Sequence, residues 1–201
     1  MERRKTELNL LIGVNSSGKT TFLRNILPNY KRAIIITSNT SEWKDFPILK
    51  QSDIKTFSGN GRVICPHHKF KEIFPLIIKD YSGGLLALDD CKDYLPESNH
   101  TTAALSYFYN HRRHFGVDCF MIAHDLDDIP PRAFNHVSWL ILFSTNNKFT
   151  SRKNVLVFKK IEAAQLRIEK ENENGNPFYH EIILIDKQIR GLYEYETKNN
   201  G

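Results

Sequence analysis

Eight residues near the amino end constrain this 201-residue chain more than anything else in it: Gly13-Val14-Asn15-Ser16-Ser17-Gly18-Lys19-Thr20. They fit the pattern of a glycine, four residues, then Gly-Lys and a hydroxyl residue, without a mismatch. The apolar run Leu8–Ile12 precedes them and a helical stretch, Thr20–Leu27, follows until Pro28 stops it. A strand turning through glycines into a helix gathers main-chain N–H groups around one point, and the positive end of the helix faces the same point. Gly13 and Gly18 allow the sharp turn, and the amides from Val14 through Asn15, Ser16 and Ser17 to Thr21 converge on an anion. In that arrangement Lys19 reaches the outer phosphates of a nucleoside triphosphate and the Thr20 hydroxyl coordinates Mg²⁺. ATP and Mg²⁺ are the ligands to expect.

A magnesium-nucleotide site also needs carboxylates, one to hold the metal through water and one near the attacking water. The apolar strand Gly84–Leu88 ends on Asp89-Asp90 and can supply both. Asp89 is the magnesium partner and Asp90 the candidate base, although its side chain is one methylene shorter than the glutamate usual there. Ser82-Gly83-Gly84 runs directly into this strand and reads as its entry turn, not as a separate signature helix.

The rest of the chain supplies strands and helices in alternation. Ala33–Thr37 is a second buried strand, Asp118–Ala123 a fourth and Ser138–Ser144 a fifth, with Gly84–Leu88 as the third. Ser38–Arg62 is polar and broken by Pro47, Gly59 and Gly61, so it reads as loops with room for one short strand. Helices are expected over His68–Tyr81, with Pro75 as a kink or break, over Thr101–Phe115, capped by Gly116, and over Ser151–Glu171. Glu181–Asp186 and Gly191–Tyr195 pattern as a hairpin. The fold class is therefore α/β, a mainly parallel central sheet flanked by helices with a C-terminal β-hairpin, and the whole chain reads as one P-loop domain. A chain of this length buries roughly 70% of its unfolded surface. With 40% hydrophobic and 25% charged residues, disordered and fibrous classes are excluded, and no apolar run approaches a bilayer's thickness. Three cysteines without a CxxC pair point to a reducing compartment. Cys65, His67 and His68 lie close together but lack a second ligand pair, and read as a strand end and helix start.

Beyond the phosphate loop, an ordered set of residues carries a resemblance. Arg113-His114 ends the helix after the acidic pair, the fourth strand ends on His124, and Pro131-Arg132 precedes the last core strand. From about Leu8 to Phe143 the chain resembles the FtsK/HerA-like ATPases, above all their viral genome-packaging branch, with zonula-occludens-toxin-like phage ATPases close by. The resemblance implies Walker A and Walker B elements at Gly13–Thr20 and Asp89-Asp90. It implies ATP hydrolysis coupled to translocation of double-stranded DNA by an oligomeric ring. His124 matches the polar sensor, usually glutamine in the family, and a neutral imidazole there can accept or donate a hydrogen bond to the attacking water or γ-phosphate. Arg113 and Arg132 are the candidates for an arginine that neutralises charge at a neighbour's γ-phosphate. A capsid or portal component is the implied further partner, in the host-cell cytoplasm or at the packaging vertex of a virion. Two alternatives stand beside this. A filamentous-phage extrusion ATPase would carry a membrane segment, and the chain has none. A small-molecule kinase would carry an arginine-rich lid, and none is evident.

Two further features read as ordinary surface and core. Lys148, Arg152, Lys153, Lys159 and Lys160 form a basic stretch that could meet DNA phosphates and is otherwise a solvated helix face. Tyr107, Phe108 and Tyr109 belong on a helix as core or interface residues.

Overall fold

The structure, a computed structural model, describes residues 6–91, 103–129, 133–146 and 158–185. Seven strands form one sheet: β1 (Leu8–Ile12), β2 (Arg32–Thr37), β3 (Gly59–Ile64), β4 (Gly84–Leu88), β5 (Val117–Ala123), β6 (Trp139–Leu142) and β7 (Glu181–Leu184). Their order is β3-β2-β4-β5-β1-β6-β7, and every pairing is parallel except β6 with β7. β1, β4 and β5 are buried on both faces because helices cover both faces, which is what a parallel sheet with crossover helices requires. The core accordingly divides in two. One layer packs Leu10, Ile34, Leu86 and Met121 against Phe70, Phe74 and Phe108, and the other packs Leu11, Ile35, Ala87 and Ile122 against Leu23 and Leu27.

Four helices accompany the sheet: α1 (Lys19–Ile26), α2 (Phe70–Asp80), α3 (Ala103–Phe115) and α4 (Phe158–Glu173). α1 gives way at Pro28 to a tight turn over Leu27–Asn29. α2 runs unbroken through Pro75, where a kink or break was expected. Phe70 and Phe74 on one side of the proline, and Ile77 and Ile78 on the other, are all buried, so tertiary packing holds the helix together across it. Gly116 ends α3 with φ 67°, as a C-terminal cap should.

The segment Ser38–Arg62 contains one strand, β3, placed at the sheet edge by parallel pairing with β2 from Arg32↔Gly59 to Thr37↔Ile64. β7 pairs with β6; the expected hairpin partner Gly191–Tyr195 lies outside the described residues, as do Lys148, Arg152 and Lys153 of the basic stretch. Lys159 and Lys160 are exposed on α4. Phe108 and Tyr109 are core residues, while Tyr107 is half exposed and stacks on His111. Cys65 is buried just past β3, and His67 and His68 open the turn before α2.

Sheet order positions the site. β5 is inserted between β1 and β4, so the phosphate loop after β1 and the acids after β4 flank the tip of β5. All three strands point the same way, and their carboxyl ends define one edge of the sheet.

Candidate nucleotide site

Gly13 follows β1 in the narrowest part of the turn. A Cβ at that position would come within 2.6 Å of the Phe143 Cβ and 2.9 Å of the Ser17 Oγ, so only glycine passes there. Val14 N–H donates to the Ser144 carbonyl, which ties the loop to the end of β6. Gly18, with φ 103°, is the residue on which α1 begins. The first helical bond runs from Phe22 N–H to Gly18 O, so the amides of Lys19, Thr20 and Thr21 precede the helical ladder and face its open end. Ser17 Oγ is buried and has no hydrogen-bond partner. An orphaned hydroxyl and a turn of amides around one point form a cradle for an anion.

Lys19 is 7% exposed, and its Nζ donates to the Gly13 carbonyl at 2.5 Å and the Val14 carbonyl at 2.8 Å. Burial lowers its pKa, while the nearby charges of Asp90, Asp89 and Glu42 work the other way. Asn15 to Thr21 line a cavity of about 180 Å³ whose other walls are Glu42, Asp89, Asp90, Ile122, His124 and Phe178.

Asp89 is buried, and its Oδ2 accepts a hydrogen bond from Trp43 Nε1 at 2.8 Å. Burial pushes its pKa up to about 7, helped by the charge of Asp90. Asp90 sits at φ 51°, an uncommon conformation for a residue with a side chain, and its Oδ1 lies 3.0 Å from His124 Nε2. The structure thus brings Lys19, Thr20, Asp89, Asp90 and His124 to one cavity. Three carboxylates facing one lysine would repel a bare triphosphate. A divalent cation reverses that balance, and a hydroxyl with carboxylate oxygens is the hard-donor set Mg²⁺ takes.

Arg113 is placed elsewhere. It lines a second cavity with Tyr30, Gly84, His114 and Asp118, where β4 and β5 begin. That is the opposite edge of the sheet from Lys19, about 17 Å away along a five-residue strand. Arg112 is buried and structural, donating to the Tyr109 and His136 carbonyls. Arg132 lies outside the described residues.

Glu42, Trp43 and Phe178 are site residues that the motifs did not announce. The signal for Trp43 is a large apolar ring inside the polar stretch Ser38–Asp45, which has to be buried somewhere. Phe178, 62% exposed, stands at the cavity rim beside Gly18. His180 follows it and is held between Phe143 (centroids 4.9 Å) and Phe22 (5.1 Å).

No protein-family model and no curated protein sequence matches the chain. Solved structures do. The genome-packaging NTPase B204 from Sulfolobus turreted icosahedral virus 2, in complex with AMP, aligns at a TM-score of 0.63 and 20% identity, over 82% of this chain and 87% of that one. The same protein in complex with ATP-gammaS gives 0.59 and 19%, over 82% and 85%. B204 from Sulfolobus turreted icosahedral virus, described as a DNA-packaging ATPase, gives 0.61 and 18%, over 82% and 87%. The chain has the fold of these P-loop NTPases.

Proposed function

We propose that this chain binds ATP with Mg²⁺, hydrolyses it, and uses the energy to move double-stranded DNA as one subunit of a genome-packaging ring. One observation carries the hydrolytic part: strand β5, inserted between β1 and β4, brings His124 to the same cavity as the phosphate loop and both acids. A polar tip between the loop and the acids suits water attack on a terminal phosphate better than transfer to a second substrate. The fold shared with B204 supports the packaging part.

In this reading the amides of Asn15 to Thr21 hold the phosphate chain and Ser17 Oγ gains the acceptor it lacks. Lys19 leaves the Gly13 and Val14 carbonyls for the β- and γ-phosphates. Thr20 and Asp89, the latter through water, would hold the metal, which would supply positive charge to offset the phosphates. The Asp90–His124 pair responds to the γ-phosphate. The cavity, at about 180 Å³, is smaller than the roughly 300–1,000 Å³ of pockets that enclose a drug-sized ligand. It suits the phosphate tail and leaves the base at the rim, where Phe178 offers a face for stacking. Arg113 is too far from its own Lys19 to assist and serves a neighbouring subunit, with Arg132 as the other candidate for that role. A capsid or portal partner and the host-cell cytoplasm belong to the same reading.

The test is steady-state ATP hydrolysis with Mg²⁺, with and without double-stranded DNA. DNA stimulates the wild-type protein, and Lys19→Ala lowers turnover by about 100-fold or more with an unchanged thermal transition. Arg113→Ala subunits mixed into wild type depress activity more than in proportion. ATPase turnover indifferent to DNA would overturn the translocase reading.

A further inference from the structure

Strand β2 is the direct neighbour of β4, with Ile36 opposite Leu88, so the loop leaving β2 passes beside the Asp89-Asp90 turn. That loop is pinned at several points. Trp43 is buried, with its ring N–H on Asp89. Arg24 holds Asp45 through both carboxylate oxygens, and its guanidinium lies 4.7 Å over the Trp43 ring. Arg62 reaches across from β3 and donates to the carbonyls of Thr40 at 3.1 Å and Glu42 at 2.5 Å. Trp43 takes φ 57°, a left-handed turn that a bulky residue adopts only when its surroundings enforce it. The result is that Glu42, on a loop pinned at several points, forms part of the phosphate cavity wall. It is close enough to Asp89 and Lys19 for its charge to act on both.

The other two carboxylates are committed. Asp89 is buried and oriented by Trp43, as a metal-shell ligand must be. Asp90 is short, and one of its oxygens is engaged by His124 at 3.0 Å. Glu42 has the extra methylene that Asp90 lacks and approaches from the neighbouring strand.

We propose that Glu42, and not Asp90, is the carboxylate that takes the proton from the attacking water; this rests on the hydrolytic reading above. The water oxygen bonds to the γ-phosphorus while the bond from that phosphorus to the β–γ bridging oxygen breaks, its electron pair leaving on ADP. The water proton passes to a Glu42 carboxylate oxygen and from there to phosphate or solvent, so ATP and water give ADP, inorganic phosphate and a proton.

Single-turnover hydrolysis and equilibrium binding of ATP-gammaS, with and without Mg²⁺, test this in Glu42→Gln and Asp90→Asn. Glu42→Gln is expected to keep the wild-type affinity for ATP-gammaS and its Mg²⁺ dependence within about threefold, while hydrolysis falls by about 100-fold or more. Asp90→Asn is expected to fall by less. In Glu42→Ala, added formate restores part of the lost rate, which a merely structural role would not allow. Hydrolysis by Glu42→Gln within about fivefold of wild type would overturn the assignment. So would an Mg²⁺-dependent affinity that falls as far as turnover does, because Glu42 would then be holding the metal. If wild-type protein itself neither binds nor hydrolyses ATP with Mg²⁺, the hydrolytic reading fails, and this outcome is distinct from a failure of Glu42 alone.

Discussion

The two edges of the sheet solve the same geometric problem, reversing the chain at strand ends, by opposite means. At the edge where β4 and β5 begin, glycines occupy the left-handed positions: Gly83, Gly84 and Gly116. Asp118 there accepts from the Glu7 N–H and the Tyr30 hydroxyl, and Tyr81 donates to the Leu85 carbonyl, while Thr6 Oγ1 and Arg32 Nε are buried without a partner. At the edge where β1, β4 and β5 end, the left-handed positions fall on Ser16, Trp43 and Asp90 as well as Gly18. Those three are the only non-glycine residues with positive φ among the described residues. Ser17 Oγ goes without a partner there, and Lys19 makes do with carbonyls. Unpartnered buried atoms therefore occur at both edges, and what sets the second apart is backbone strain on residues that carry side chains, which clusters at functional sites.

That contrast can be broken at either edge. A Cβ on Gly84 would overlap the Arg32 carbonyl oxygen at φ 106°, so Gly84→Ala should cost about 3 kcal/mol in denaturant titrations. A loss below ~1 kcal/mol would mean the first edge is softer than its contacts suggest.

Asp89 tests the other edge through pH. Its folded pKa, about 7, is raised above the ordinary carboxyl value, so the folded chain binds that proton more tightly than the unfolded chain does. The contribution is complete below about pH 4 and is lost as pH climbs to about 7. Asp89→Asn lacks it. The stability of the variant relative to wild type, measured without metal, should therefore rise by at least ~1 kcal/mol between those limits. A flat difference would place the carboxylate in a less strained setting.

Ser16 gives the smallest effect. Its φ of 61° penalises a side chain, and Ser16→Gly should stabilise the empty protein by about 0.5–1 kcal/mol. A loss of stability would show that the loop carries no strain at that residue.

Much of this was legible in the chain itself. The glycine loop, the acidic pair and the apolar strands are local signals, each complete within a few residues, and they fall where their patterns put them. The one short strand expected in Ser38–Arg62 is β3, but its place was not legible because Gly59-Asn60-Gly61 has the composition of a turn, and only its partner β2 makes it a strand. The helix around Pro75 was legible, and it continues without a break because buried residues on both sides outweigh the missing N–H. Glu42 escaped notice because nothing around it in sequence marks it. It becomes a site residue through strand order, which sets β2 beside β4, and through Arg62 and Trp43, which fix its loop from two sides. The position of Arg113 has the same origin. Its helix was predictable, but which edge of the sheet that helix ends on depends on the fold.

β5 touches both edges at once. Asp118 lines one cavity, and Ile122 and His124 line the other; the strand between them is buried throughout and flanked on both sides by partners. A segment so tightly clamped has no slack in which to dissipate a push. The two cavities are therefore joined by the middle plank of the sheet, with no flexible segment between them.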